Sequence, residues 1–262
     1  MKYINIIILM GILSALFGCG ENKKNTNKNI EVLNPQSITK PVENISATSD
    51  QIERRKKSEV LCKSKNIPVY KNPNSMFAEP EEKVTLRLKD EVVDRALALV
   101  YLGLKSEGLE QKHLDKMNKD FNISEKLTNT EKEYALSSNP TEQQKVNANW
   151  RYESLHVLLW SLSFIDSLEY PNKMCNVAED VKIIYELGEQ KFREQAKLRS
   201  KKEILDQADL ILRYNWACVN ARVKNENAPS ELNSSIVYER HYSLNWLIKY
   251  MNQDWDNVTT DT

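Results

Sequence analysis

The chain has 262 residues, with 37 basic and 37 acidic side chains, so its formal charge at neutral pH is zero. That balance gives no electrostatic footprint for nucleic acid and no strong steering field for another polyanion. Glycine is scarce, with only Gly103, Gly108 and Gly188 beyond residue 50, which argues against a sheet protein built on many tight turns.

Lys2 opens the chain with a positive charge, and Ile4 to Phe17 is nearly continuous apolar sequence, broken by Asn5, Gly11 and Ser14. A charged start followed by such a run reads as a signal peptide over residues 1–18. The run is too short for a comfortable membrane span, which needs roughly 20 apolar residues. It closes on Leu16-Phe17-Gly18-Cys19, which resembles the lipobox of bacterial lipoproteins, although Phe17 is bulkier than the small residue usual at that place. The resemblance implies cleavage before Cys19, a diacylglycerol thioether on its sulfur, and acylation of the new amine by a palmitate-like chain. Two or three buried chains make such attachment long-lived, where one would not. The expected location is therefore a bacterial cell membrane or outer membrane, with the body lipid-anchored through Cys19 and facing away from the cytoplasm. Gly20, in place of the aspartate that retains some lipoproteins at the inner membrane, favours the outer one. Residues 19–50 are rich in Asn, Lys, Ser and Thr and bury too little apolar surface to offset ordering entropy. They read as a flexible stem.

Residues 51–262 are long enough for one sizeable core and read as a single, all-α, multi-helix globular domain. Prolines at 68, 73, 80, 140, 171 and 229 punctuate the apolar stretches. Ile52 to Lys65 predicts a basic amphipathic helix. Val84 to Leu88 alternates, either as a short strand or, preferably, as an extended lead-in to a helix over Asp90 to Ser106. Two shorter helices follow, around 110–119 and 130–138, the second opened by a Thr130…Glu133 capping box. Thr141…Gln144 opens the longest helix, about 141–166. Asn176…Glu179 opens one to about Ala196, Ser200…Glu203 one to about Lys224, and Ser235 to Met251 forms the last. From Leu155 to Ile165 the 141–166 helix is apolar nearly all round, so it is expected to be buried on every side and central to the fold. Cys62, Cys175 and Cys218 are an odd set that allows at most one bridge. None shows CxxC spacing, and buried free thiols are the plainer reading.

Several polar groups lie inside these apolar helices: Trp150-Arg151-Tyr152-Glu153, then Asp206, Asp209, Arg213, Trp216 and Arg222, then Glu239-Arg240-His241 with Leu244-Asn245-Trp246, and the tail Asp254-Trp255-Asp256…Thr260-Asp261-Thr262. Together with Arg54-Arg55 and Leu158-Leu159-Trp160, these motifs resemble an uncharacterised family, domain of unknown function 4272, over about residues 53–262. The resemblance implies no reaction and no catalytic residues. Arg151, Glu153, Asp209, Arg213, Glu239, Arg240, His241 and Asn245 are the candidate polar cluster. One reading is structural: acids and guanidiniums pair inside the bundle, aromatic faces cover the guanidiniums, and Asp256 or Asp261 clamps a neighbouring helix. The other has the charged members converge on a pocket for a small polar ligand.

Glu153-Ser154-Leu155-His156 places a glutamate and a histidine on one helix face, the spacing used by di-iron bundles. No second Glu-x-x-His exists, and the chain has only His113, His156 and His241. No metal centre and no cofactor is specified. A phosphate loop, a G-x-S-x-G elbow and H-E-x-x-H are all missing from the sequence. Arg54-Arg55-Lys56-Lys57 with Lys63 and Lys65 reads as a solvated face, or a face toward anionic lipid or a partner. The leading expectation is a non-catalytic envelope domain that binds a protein partner or a small ligand. The rival is an envelope hydrolase or metal-dependent enzyme with Glu153, Glu239 and His241, with or without His156, lining an open cleft.

Overall fold

The computed structural model describes residues 46–262. The expected signal peptide, Cys19 and most of the expected stem lie outside the described residues. The described part is all-helical: α1 (Ser49–Ser64), α2 (Lys89–Ser106), α3 (Gln111–Phe121), α4 (Asn129–Leu136), α5 (Glu142–Ser161), α6 (Val177–Gln195), α7 (Lys201–Val223) and α8 (Ser234–Leu247). No strand occurs among the described residues, and Val84 to Leu88 is an extended lead-in. No described helix is long and apolar enough to cross a membrane.

The core is built on the α2–α5 pairing, the most extensive in the domain. On the other side α5 meets α8, which packs on α7, and α7 carries α1. The expected central helix is α5, which lies between α2 and α8, and those two neighbours are themselves deeply buried. α2 is buried without a break from Arg95 to Leu104, and α8 is buried from Ile236 to Leu247 except at Tyr238. Three helices lacking a continuous polar face have to cover one another. α2 and α5 approach so closely at Gly103 that a Cβ there would sit 2.6 Å from Cε1 and 2.8 Å from Cε2 of Tyr152.

Several boundaries shift for local reasons. α1 starts at Ser49, inside the expected stem, because Gln51 turns back to accept the Thr48 N–H at 3.0 Å. α4 opens from Thr128, not Thr130: the Thr128 hydroxyl accepts the Glu131 N–H, and the Glu131 carboxylate accepts the Thr128 N–H at 2.9 Å. α5 stops at Ser161, five residues short of expectation. Ser163 turns left-handed with φ 64, and Arg199 caps the exposed carbonyls, donating to Trp160 at 2.8 Å, Ile165 at 2.9 Å and Asp166 at 3.0 Å. Phe164 then stacks on Phe192, with ring centroids 4.6 Å apart. α6 is interrupted at Gly188, whose φ of 66 and ψ of 169 only glycine adopts readily. α8 ends at Leu247, and Tyr250–Asn252 continues as a separate 3-10 turn.

The first helix is inverted. Gln51, Arg54, Arg55, Ser58 and Cys62 face inward, while Ile52, Val60 and Leu61 are exposed. Arg54 and Arg55 therefore do not belong to the expected solvated basic face. Arg55 gathers the carbonyls of Tyr70, Asn72, Pro73 and Ser75, and Arg54 bonds Asp50 and the Glu79 carbonyl. Two guanidiniums thus satisfy the backbone of a proline-rich loop that forms no helix or sheet of its own.

Candidate functional site

The predicted polar cluster resolves into separate pairs. On α5, Glu153 is fully buried. Its Oε2 accepts the Arg240 Nε–H at 3.0 Å, and its Oε1 accepts the Cys175 backbone N–H at 2.6 Å. Arg240, on α8, also donates to the Glu169 carbonyl at 2.5 Å. On the same interface the adjoining Glu239 carboxylate accepts from Arg151 at 3.0 Å and from the Ser154 hydroxyl at 2.8 Å. The Arg151 guanidinium lies 4.5 Å from the Tyr242 ring centre and 5.7 Å from that of Trp255. Within α7, Asp209 and Arg213 form an i, i+4 pair at 2.8 Å, each 1 % exposed, and Arg213 also donates to the Met76 carbonyl. Asn245 donates to the Thr259 carbonyl at 2.8 Å.

Among the described residues no hydrogen bond links the Asp209–Arg213 pair to the α5–α8 pairs. His241 is 2 % exposed, and its Nδ1 has no hydrogen-bond partner. Burial pushes its imidazole pKa down to about 3, so it is neutral at physiological pH. Arg222 is exposed. Asp256 and Asp261 are exposed as well and clamp nothing. The tail is held by its carbonyls instead: Thr259 by Asn245, Thr260 by Asn215 at 3.0 Å, and Trp255 by the Tyr242 hydroxyl. The buried Trp255 ring stands edge-on to Tyr242 and Trp246.

Residues 54–258 match the family described as Domain of unknown function (DUF4272). The chain belongs to that family. No curated protein and no solved structure gives a match. The DUF4272 match runs from within α1 to beyond α8 and takes in the Glu153–Arg240, Arg151–Glu239 and Asp209–Arg213 pairs.

A concave feature of this DUF4272 domain is a cleft of about 180 Å³ between the 168–171 segment, α7 and α8, lined among others by Lys65, Glu169, Tyr170, Gln207, Tyr214 and Arg240. Drug-sized ligands occupy roughly 300–1,000 Å³, so only a small molecule would be enclosed. Arg240 is the one member of the predicted cluster that reaches it. The Lys65 ammonium sits over the Tyr170 ring, 4.5 Å from its centre.

Sequence reasoning paired His156 with Glu153 and left Cys175 and Asp180 out of the site. His156 Nδ1 is hydrogen-bonded to Asp180, at 2.9 Å to Oδ2 and 3.1 Å to Oδ1, and the Cys175 sulfur joins them, with one ligand atom from each of the three within 4.8 Å of the others. Burial raises the Asp180 carboxyl above the usual carboxylate range. Burial, reinforced by Glu153 and Asp180, pushes the Cys175 thiol up. Glu153 and His156 do share a helix face, as their spacing predicted. Their partners diverge, however, toward Arg240 for one and toward Asp180 for the other. Cys62, Cys175 and Cys218 are all free thiols, and burial pushes Cys62 up to about 12.

Proposed function

We propose that this protein is a lipid-anchored envelope protein whose helical domain acts by binding a protein partner or a small ligand, not by turning over a substrate. The observation that carries the reading is the internal commitment of the acids. Glu153, Glu239 and Asp209 each have an arginine against them inside helix–helix contacts, so none is free to act as a general acid or base in a cleft. The hydrolytic alternative needs Glu153, Glu239 and His241 to line one open cleft, and they do not form one. A small ligand has the Lys65–Arg240 cleft available to it. A protein partner has the outward face of α1, where Ile52, Val60 and Leu61 stand exposed.

The anchor rests on the signal-like start and on Cys19 within Leu16-Phe17-Gly18-Cys19. Expressed in a bacterial host, the protein should fractionate with membranes and incorporate labelled palmitate. Cys19→Ser should abolish the label and release the body from the membrane fraction. Mass spectrometry finding an intact Met1 and a bare Cys19 thiol on the natural protein would refute the anchor.

A further inference from the structure

We propose that His156, Cys175 and Asp180 form a mononuclear binding site for a borderline-soft divalent cation of the zinc class. The three side chains come from two rigid elements and the loop that joins them. His156 projects from the buried half of α5, Cys175 lies just before the Asn176 cap of α6, and Asp180 sits in the first turn of α6. Their ligand atoms fall within 4.8 Å of one another. Zinc bonds of about 2.0–2.3 Å in a tetrahedron place ligand atoms roughly 3.3–3.8 Å apart, so the three atoms already lie within about 1.5 Å of the spacing the ion requires.

The donor set is selective. One imidazole, one sulfur and one carboxylate suit zinc, whereas magnesium and calcium take oxygen ligands. Charge favours the same ion. Glu153 and Asp180 place two buried carboxylates here, and the guanidinium of Arg240 is committed to Glu153. Asp180, 1 % exposed, has no arginine or lysine paired with it, only the neighbouring His156 imidazole and Cys175 thiol. A divalent ion bound by the Cys175 thiolate, His156 and Asp180 would bring this cluster to neutrality. Glu153 supports the site from behind, since its bond to the Cys175 N–H fixes the backbone that carries the sulfur. Three protein ligands leave a fourth place to an exogenous ligand such as water, and Cys175, the partly exposed member of the three, is the side on which it would enter.

This inference stands apart from the proposed binding role and from the lipid anchor. Its test uses the full chain, purified and stripped with a chelator, then titrated with zinc alone against a chromophoric competitor and, separately, with cobalt(II). The expected result is one zinc per chain and, with cobalt, a thiolate-to-metal charge-transfer band with the strong visible absorption of a tetrahedral ion. Cys175→Ser should remove that band and weaken zinc binding by at least about a hundredfold, beyond the 10–100-fold typical of losing an outer partner. Cys62→Ser and Cys218→Ser should change neither. Cys175→Ser is mild and lies at a partly exposed position, so its fold can be verified by circular dichroism even if His156→Gln or Asp180→Asn proves unstable. No stoichiometric zinc, or zinc binding that Cys175→Ser leaves intact, overturns the site and leaves a hydrogen-bonded His–Asp pair beside a free thiol.

Discussion

Arg240 shows what a buried charge demands at the level of one residue. Its guanidinium has left water, and Glu153 with the Glu169 carbonyl takes water's place. Removing one partner strands the other, which typically costs about 3–5 kcal/mol, whereas replacing both with apolar groups can be nearly neutral. Arg240→Leu should therefore lower the unfolding free energy by about 3–5 kcal/mol in urea titrations. Glu153→Leu/Arg240→Leu together should cost clearly less than the two single changes summed, with a remainder from the orphaned Cys175 N–H. Additive losses would show that the pair is not coupled. His241 makes a second residue-scale prediction. Its folded pKa of about 3 lies below the ordinary 6.5, so below pH 6.5 the unfolded chain binds a proton that the fold refuses. Stability must fall as pH drops from 6.5 toward 3, by up to about 1.4 kcal/mol per pH unit. Asp180, raised by burial, acts with the opposite sign, because the fold takes up its proton first. The clean readout is thus the difference between wild type and His241→Leu, whose melting temperature should depend less steeply on pH between 6.5 and 4. Parallel curves would exclude His241 as the titrating group.

At the scale of elements, α2 and α5 are close because Gly103 leaves room for the Tyr152 ring. Gly103→Ala improves helix propensity by about 1 kcal/mol, yet overpacking usually costs 1–3 kcal/mol or more, and here the obstruction is a ring already enclosed in the core. The net effect should be destabilising, read as a lower urea midpoint, and Tyr152→Leu in the same chain should recover part of the loss. An unchanged midpoint for Gly103→Ala would mean that the helices can separate cheaply. The helices themselves were largely legible in the sequence, because capping boxes such as Thr141…Gln144 and Ser200…Glu203 are local chemistry, and both are formed. The end of α5 was not legible, because Arg199, which caps it, lies more than thirty residues further along the chain. α1 misled for another reason. Its charged residues look solvated by composition, but Arg54 and Arg55 are consumed by carbonyls of the 70–79 loop, which no periodicity reveals.

At the scale of the molecule, the C-terminal tail closes the bundle through one aromatic group. Trp255 is 4 % exposed, lies against Tyr242 and Trp246, and has the Arg95 guanidinium 5.0 Å from its ring centre. Trp255→Ala should cost about 3–5 kcal/mol and loosen α8 as well as the tail, measurable as faster amide exchange over Ser234–Leu247. A loss below about 1 kcal/mol would mean that the tail is an ornament on a core complete without it. The amino-acid sequence by itself determined the all-helical class, the family and most helix starts, because helix periodicity and caps are written within a few residues of where they act. Only the tertiary structure decided that the predicted cluster divides into separate ion pairs, that α5 lies between α2 and α8, and that His156 finds Cys175 and Asp180. Each of these is a matter of which side chain lies opposite which across a helix interface. That depends on crossing geometry and on competition among several acids for a few arginines, and neither is encoded in spacing along the chain.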